Sequence, residues 1–322
     1  MREMTYIQAL NEALHQAMSE DSAVFVLGEN IRGGMRPETA GLDDAFAPGR
    51  VLDMPISEAA FTGFANGAAL AGMRPVVEFQ VASLMFPAFD QIVNQAAKLP
   101  LMLGGQAHIP ITFFLMGAGA GGGRAGQHSD NPYTFLIHAG IKTVCPATPA
   151  DAKGLMLAAI FENDPVAVVV NANLLRTTGE VPAGSERTPL ANGKVRRAGR
   201  DATVCAIGSL VPAALEAAER LTADGIEVEV WDPRSLLPFD KEGLAASVAK
   251  TGRLVVADDS ARTCGFAAEV AGLAAERCFD SLRAPIKRVT RADVTVPYST
   301  PIEHAMLPAA GEVEAAVRAI AA

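Results

Sequence analysis

The sequence predicts an α/β protein of two domains, each a mostly parallel sheet covered by helices. Three observations carry this expectation. The 322 residues exceed one ordinary domain and suit two. Short continuous apolar runs alternate with helical patterns, as expected of parallel strands buried on both faces. The alternation breaks after Asn171 and resumes at Ala202.

Along the chain, Thr5-Tyr6-Ile7-Gln8 fits a capping box, in which the Thr5 hydroxyl and the Gln8 side chain serve the first turn of an amphipathic helix ending near Met18. Strands are expected over 24–27, 51–54, 75–79, 110–116, 142–145 and 165–170, with a helix of small and apolar residues over 59–72. Thr148-Pro149-Ala150-Asp151 opens another helix, since Pro at the first helical position loses no hydrogen bond. Residues 174–201 mix Gly, Pro, Thr and Arg with little periodicity and read as a connection. The expected division is a first domain over 1–185, a linker over 186–200 and a smaller domain over 201–322. In the latter, strands over 202–207, 227–231, 254–257 and 286–289 alternate with helices over 212–221, from Lys241, over 265–278 and at the C-terminus.

Half the residues are hydrophobic and only 20% are charged, a balance that implies extensive burial and a subunit interface. No apolar run reaches the ~18 residues of a membrane span. A net charge of -9 with scattered Lys and Arg argues against nucleic acid as a partner. Cys145, Cys205, Cys264 and Cys278 lack any CxxC spacing and read as buried thiols of a reducing compartment. Without a basic region and apolar run at the N-terminus, no signal or transit peptide is expected, and a cytoplasmic location is.

Gly117-Ala118-Gly119-Ala120-Gly121-Gly122 fits G-x-G-x-x-G after an apolar strand. A dinucleotide site also needs a helix at the last glycine and an acid about 20 residues on. The continuation Gly123-Arg124-Ala125-Gly126-Gln127-His128-Ser129-Asp130-Asn131-Pro132 is too rich in Gly and Pro for that helix, and Lys142 stands where the acid is wanted. A loop whose backbone approaches a ligand or partner is expected instead. It delivers His128, whereas His15, His108, His138 and His304 read as ordinary core or surface residues.

The most informative residue is Glu58, a carboxylate between a strand end and a nearly apolar helix. Dry surroundings favour the neutral acid, so such a group can hold or hand over a proton. The plainer alternative is an acid in the first turn of a helix, at the positive end of its dipole. The neighbourhood favours the chemical role. Residues 53–58 (Asp-Met-Pro-Ile-Ser-Glu), 69–80, with Arg74-Pro75-Val76-Val77-Glu78-Phe79-Gln80, and 86–98, with Phe86-Pro87-Ala88-Phe89-Asp90, resemble the beta subunit of the thiamine-diphosphate-dependent 2-oxo acid dehydrogenases. This is the decarboxylating first component of the pyruvate, branched-chain 2-oxo acid and acetoin complexes. Residues 147–155 and 232–238 resemble the same family, so the likeness covers nearly the whole chain.

The resemblance implies a transketolase-like pyrimidine-binding domain followed by a transketolase C-terminal domain for dimerisation and core docking. It implies oxidative decarboxylation of a 2-oxo acid with acyl transfer to the lipoamide of an acyltransferase core. Glu58 would bind the aminopyrimidine of thiamine diphosphate, and His128 would assist the acyl transfer. Ile56, Gln80, Leu84 and Phe86 match positions lining the aminopyrimidine pocket, with core packing the alternative for the apolar ones. At Leu84 some relatives carry Tyr, so a polar contact is lost. Glu29 resembles an acid of a proton relay near the subunit boundary, an exposed loop carboxylate being the alternative. Segments around Thr112 and from Ala159 through Glu162 to Asp164 resemble a potassium-binding region of some relatives.

Two departures bear on the substrate. His-Ser-Asp-Asn replaces the usual His-Ser-Gln-Ser or His-Ser-Gln-Cys after the glycine loop, and a glutamate common near Asn171 is absent. Nothing resembles the Gly-Asp-Gly followed by Asn that holds the diphosphate and Mg2+ in this class. That half is expected on a separate alpha subunit, in an alpha2-beta2 assembly. The alternatives are an acetoin-cleaving or other specialised carboligase or lyase, a non-catalytic regulatory subunit of the same fold, and a coenzyme A transferase with Glu29 as nucleophile.

Overall fold

A computed structural model describes residues 1–121 and 123–321. Its contacts divide the chain into two units, Met1–Ala118 with Gln127–Leu190, and Gly119–Gly126 with Ala191–Ala322. The main segment of the second unit therefore begins eleven residues before the expected strand at Ala202. The stretch expected as linker contains a strand of the second unit's sheet. The glycine loop also belongs to the second unit.

In the first unit, a short strand β1 (Arg2–Thr5), absent from the sequence-based expectation, precedes the first helix. Thr5 then caps α1 (Tyr6–Glu20) as the spacing predicts, accepting from the Gln8 N–H at 3.2 Å while the Thr5 N–H donates to the Gln8 side chain at 2.8 Å. Next come β2 (Val24–Gly28), α2 (Leu42–Ala45), β3 (Val51–Asp53), α3 (Glu58–Leu70) and β4 (Arg74–Phe79). After a 3-10 helix over Ala82–Ala88 and a π-helix over Gln91–Ala97 follow α4 (Leu99–Met102), β5 (Thr112–Ala118), α5 (Tyr133–His138), β6 (Lys142–Val144), α6 (Pro149–Ile160), β7 (Val166–Asn171) and β8 (Thr178–Val181). The central strands run parallel in the order β6-β7-β5-β4-β2-β3. Parallel neighbours need crossover helices, and the apolar strands are buried on both faces as that arrangement requires. β1 and β8 pair separately as an antiparallel ribbon.

Helix α6 is buried around most of its circumference against α1 and the sheet. Its one buried cation, Lys153, is neutralised by Glu12 at 2.6 Å and donates to the Pro182 carbonyl at 2.8 Å. A buried ammonium is tolerated only when so paired.

The second unit contains β9 (Lys194–Arg197), β10 (Ala202–Ala206), α7 (Leu210–Thr222), β11 (Val228–Asp232), β12 (Ser235–Leu237), α8 (Lys241–Thr251), β13 (Leu254–Ala261), α9 (Phe266–Arg277), β14 (Lys287–Arg291), α10 (Thr300–Met306) and α11 (Ala310–Ala321). Its sheet runs β14-β13-β10-β11-β9, parallel except for β9, which joins β11 antiparallel. Cys145, Cys205 and Cys278 are buried, whereas Cys264 is exposed on a left-handed residue, so the expectation of four buried thiols holds for three. No helix among the described residues is long and apolar enough to cross a membrane.

Candidate active site

The carboxyl ends of β2, β3 and β4 lie side by side, and their loops carry Glu29, Glu58 and Gln80. In open parallel sheets, ligands bind beyond these ends. Three contacts lace the loops together. The Met54 N–H donates to the Gly28 carbonyl at 2.8 Å. The Asp53 carboxylate accepts from the N–H groups of Ile31 at 2.9 Å and Arg32 at 3.1 Å. The Gln80 amide donates to the Glu29 carbonyl at 2.8 Å. Gln80 thus orients the loop that bears Glu29.

Glu58 is the first residue of α3, so the plain description as a helix-start acid is accurate, yet the side chain is also buried, at 9% exposure. It makes no hydrogen bond or ion pair with any other described residue. A sunken carboxyl with unspent oxygens at a positive helix end offers a hydrogen-bonding group to a ligand. Glu29 is buried too, which excludes the exposed-carboxylate alternative, and one of its oxygens has no hydrogen-bond partner. Burial raises the Glu29 pKa first and the charge of Glu58 raises it further, while Arg36 opposes both.

Two further acids escaped the sequence reading. Glu78 on β4 is 1% exposed, and neither of its oxygens has a hydrogen-bond partner. Burial pushes its pKa well up, and the charges of Glu38 and Glu29 add to the rise. Glu38 is raised chiefly by its own burial. The available signal was an acid inside the apolar run 75–79, but alternation cannot show which face of a doubly buried strand is dry.

The pocket candidates divide. Ile56 is 83% exposed, which excludes core packing for it. Phe86 is also exposed and meets Phe135 edge-on at 5.4 Å between ring centroids; Leu84 is half-buried. His128 is exposed at the end of the 3-10 turn Gly126–His128. Two residues later the Asp130 N–H reaches the Ser83 hydroxyl at 3.4 Å, tethering the segment after His128 beside Leu84. The structure therefore joins Glu29, Glu58 and Gln80 at the strand ends, and ties the His128 segment to the turn carrying Leu84 and Phe86.

At the potassium candidates, Thr112 is buried in β5 and Ala159 in α6. Lys142 reaches Asp164 at 2.8 Å and Glu162 at 3.3 Å. Arg74 donates to the carbonyls of Ile160 at 3.3 Å and Glu162 at 3.0 Å. Two protein cations hold the oxygens of this loop. Among the described residues, no group of three or more His, Cys, Asp or Glu is placed to hold a metal ion.

The glycine loop is neither a nucleotide cradle nor free. Left-handed backbone recurs at every second position, Gly117, Gly119, Gly121, Gly123 and Ala125. Such alternation turns successive N–H groups towards one point and creates a seat for an anion. The anion comes from the chain itself: Glu303 of α10 accepts from the Gly121 and Gly123 N–H groups, each at 2.8 Å.

Comparison with known proteins gives the family. Residues 2–178 match the family model described as transketolase, pyrimidine binding domain, and residues 191–313 the one described as transketolase, C-terminal domain. The chain is 41% identical to the acetoin:2,6-dichlorophenolindophenol oxidoreductase subunit beta of Bacillus subtilis, covering 95% of this chain and 94% of that protein. It is 39% identical to the 2-oxoisovalerate dehydrogenase subunit beta of the same organism (100% and 99% covered). It is also 39% identical to the pyruvate dehydrogenase E1 component subunit beta of Rickettsia felis (99% and 98% covered). A solved structure described as a split gene transketolase, inactive beta4 tetramer, superposes with a TM-score of 0.80 at 24% identity over 99% of this chain and 98% of that one, a likeness of fold.

Proposed function

Because this chain belongs to the family of beta subunits of the thiamine-diphosphate-dependent 2-oxo acid dehydrogenases, we propose that it supplies the aminopyrimidine half of an active site that oxidatively decarboxylates a 2-oxo acid and passes the acyl group to lipoamide. The observation that carries the reading is Glu58, a buried carboxyl with no partner among the described residues, at the ends of parallel strands. Its oxygens fit a ring nitrogen of the aminopyrimidine. When bound, thiamine diphosphate supplies the electron sink for loss of carbon dioxide.

This chain's residues manage the protons. Glu58 holds one against the ring nitrogen. Beside it, Glu29 keeps its own proton to higher pH than an exposed glutamate, chiefly because burial opposes its ionisation. Gln80 keeps that loop in register. Ile56, Leu84 and Phe86 offer an apolar wall that would exclude water from the proton exchange once the partner chain covers it. His128, presented at the loop end, gives and takes a proton as the acyl group leaves, a task suited to an imidazole near neutral pH.

The chain has no Gly-Asp-Gly followed by Asn. The diphosphate and its Mg2+ are therefore held by an alpha subunit in an alpha2-beta2 assembly, with a lipoyl acyltransferase core as acceptor and a cytoplasmic location. A potassium ion near Thr112 and residues 159–164 would have to displace Arg74 or Lys142 from the oxygens they hold. Acetoin cleavage is a second reading, supported by the 41% identity to the acetoin oxidoreductase subunit and by the altered residues after His128.

Co-expression with an alpha chain, followed by decarboxylation assays with pyruvate, 3-methyl-2-oxobutanoate and acetoin, separates the two. In the reconstituted enzyme, Glu58→Gln should abolish proton exchange at the thiazolium carbon, read by NMR after acid quench. Wild-type exchange in that variant would refute the assignment.

A further inference from the structure

We propose that Thr62 is a positioning residue for Glu58, turning its hydroxyl to the Glu58 carboxylate whenever that group is charged; this rests on the role given to Glu58 above. The two lie one turn apart on α3, and Asn66 lies one turn further on. Residues spaced by four share a helix face, about 5–6 Å apart at their Cβ atoms. Here the shared face is the inner one, since the buried residues of α3 are Glu58, Phe61, Thr62, Ala65, Asn66 and Ala69. Thr62 is 0% exposed and Asn66 4%.

A buried polar row therefore runs along one helix from the candidate acid, where apolar side chains would fill the same space at lower cost. Its oxygens are unspent. The Thr62 hydroxyl has no hydrogen-bond partner, and neither has the Asn66 side-chain oxygen. A helical threonine often turns its hydroxyl back to the carbonyl four residues earlier. That carbonyl belongs to Glu58, and the bond is not made. Asn66 is held from its other end: its amide donates to the Gln91 carbonyl at 2.9 Å, which leaves its oxygen as the free acceptor. α3 and the π-helix approach closely there, since a side chain on Gly63 would stand 3.1 Å from the Gln91 Oε1.

A hydroxyl has one proton and donates to one neighbour at a time. Thr62 has an acceptor on either side along the row, Asn66 and Glu58, each reached directly or through one water. The hydroxyl donates to Asn66 while Glu58 is neutral, and to Glu58 once Glu58 has handed its proton to the ring. Hydrogen bonds to a charged acceptor are the stronger, so the hydroxyl follows the charge. The carboxylate is thereby held in place for the proton's return.

The test uses the enzyme assembled with its alpha subunit, in the variants Thr62→Val, which removes the hydroxyl, Thr62→Ser, which keeps it, and Glu58→Gln. Thr62→Val should slow proton exchange at the thiazolium carbon by about tenfold, the worth of one hydrogen bond to a charged group. Thr62→Ser should stay within about twofold of wild type. Without cofactor, the denaturation midpoint of Thr62→Val should equal or exceed that of wild type, because an unspent buried hydroxyl gives way to a methyl group. A lowered midpoint would show that the hydroxyl serves the packing, and overturns the proposal. Unchanged exchange in Thr62→Val overturns it too, as does a loss in Thr62→Ser as large as that in Thr62→Val. If Glu58→Gln exchanges at the wild-type rate, the reading of Glu58 fails and this inference with it. Abolished exchange in Glu58→Gln beside wild-type exchange in Thr62→Val overturns this inference alone. Should Thr62→Val not assemble, Thr62→Ala removes the same hydroxyl without added bulk and must give the same tenfold loss; a smaller one overturns the proposal.

Discussion

Among single residues, Glu78 carries an unmet cost. Its carboxyl is buried without a hydrogen-bond partner, and its pKa is driven well up, first by burial and then by Glu38 and Glu29. The sign for stability follows from proton counting. Above about pH 4.5 the unfolded chain releases this proton while the folded chain keeps it, so stability falls as pH rises through that window, by up to about 1.4 kcal/mol per pH unit. Glu78→Gln cannot ionise and escapes the loss. The variant's thermal midpoint should therefore gain on wild type as pH rises above about 4.5, until the folded carboxyl itself ionises. A gap independent of pH would show that Glu78 ionises freely in the folded protein. Glu29 shares the direction of shift but sits beside Glu58, so its raised pKa maintains a proton next to the group proposed to use one.

Elements matter here through their ends. β2 and β4 run parallel with Gly28 opposite Glu78, and a methyl group on Gly28 would lie 2.6 Å from the Glu78 carbonyl oxygen. Only a residue without a side chain lets the two strands hold their spacing there. Gly28→Ala should cost about 1–3 kcal/mol in chemical denaturation, the range for overpacking a filled interior. It should also displace Glu29, the next residue. An unchanged midpoint would mean that the strand ends yield freely, which the Met54 to Gly28 and Asp53 to Ile31 bonds argue against. α3 shows the same principle from the helix side: its first residue is the candidate acid, and the small residues behind it let the helix lie close.

For the molecule as a whole, the proposal is that it forms half of an active site. On the proposed reading, the chain's buried acids and apolar side chains serve an aminopyrimidine, and the chain has no Gly-Asp-Gly followed by Asn. Apolar side chains stay uncovered around the candidate site, Ile56 and Phe86 among them, and patches of this kind mark surfaces that another chain covers. The purified chain alone should show no decarboxylation of any 2-oxo acid, and activity should appear on adding an alpha chain. Turnover by the isolated chain would end the reading as half of an active site.

How much was legible from residues alone differs between the backbone and the site. Periodicity and capping chemistry place α1, α6 and the parallel strands to within a few residues, because those signals are local. β1, β8 and β9 were missed, since the short strands β1 and β8 exist only through each other and β9 only through β11. Resemblance to a family singled out Glu58, Glu29 and His128. Three things had to wait for the fold: the burial of Glu78, the lacing of three loops by Asp53 and Gln80, and the capture of the glycine loop by Glu303. Each depends on which distant groups share a dry space or a hydrogen bond, and sequence spacing carries no measure of that.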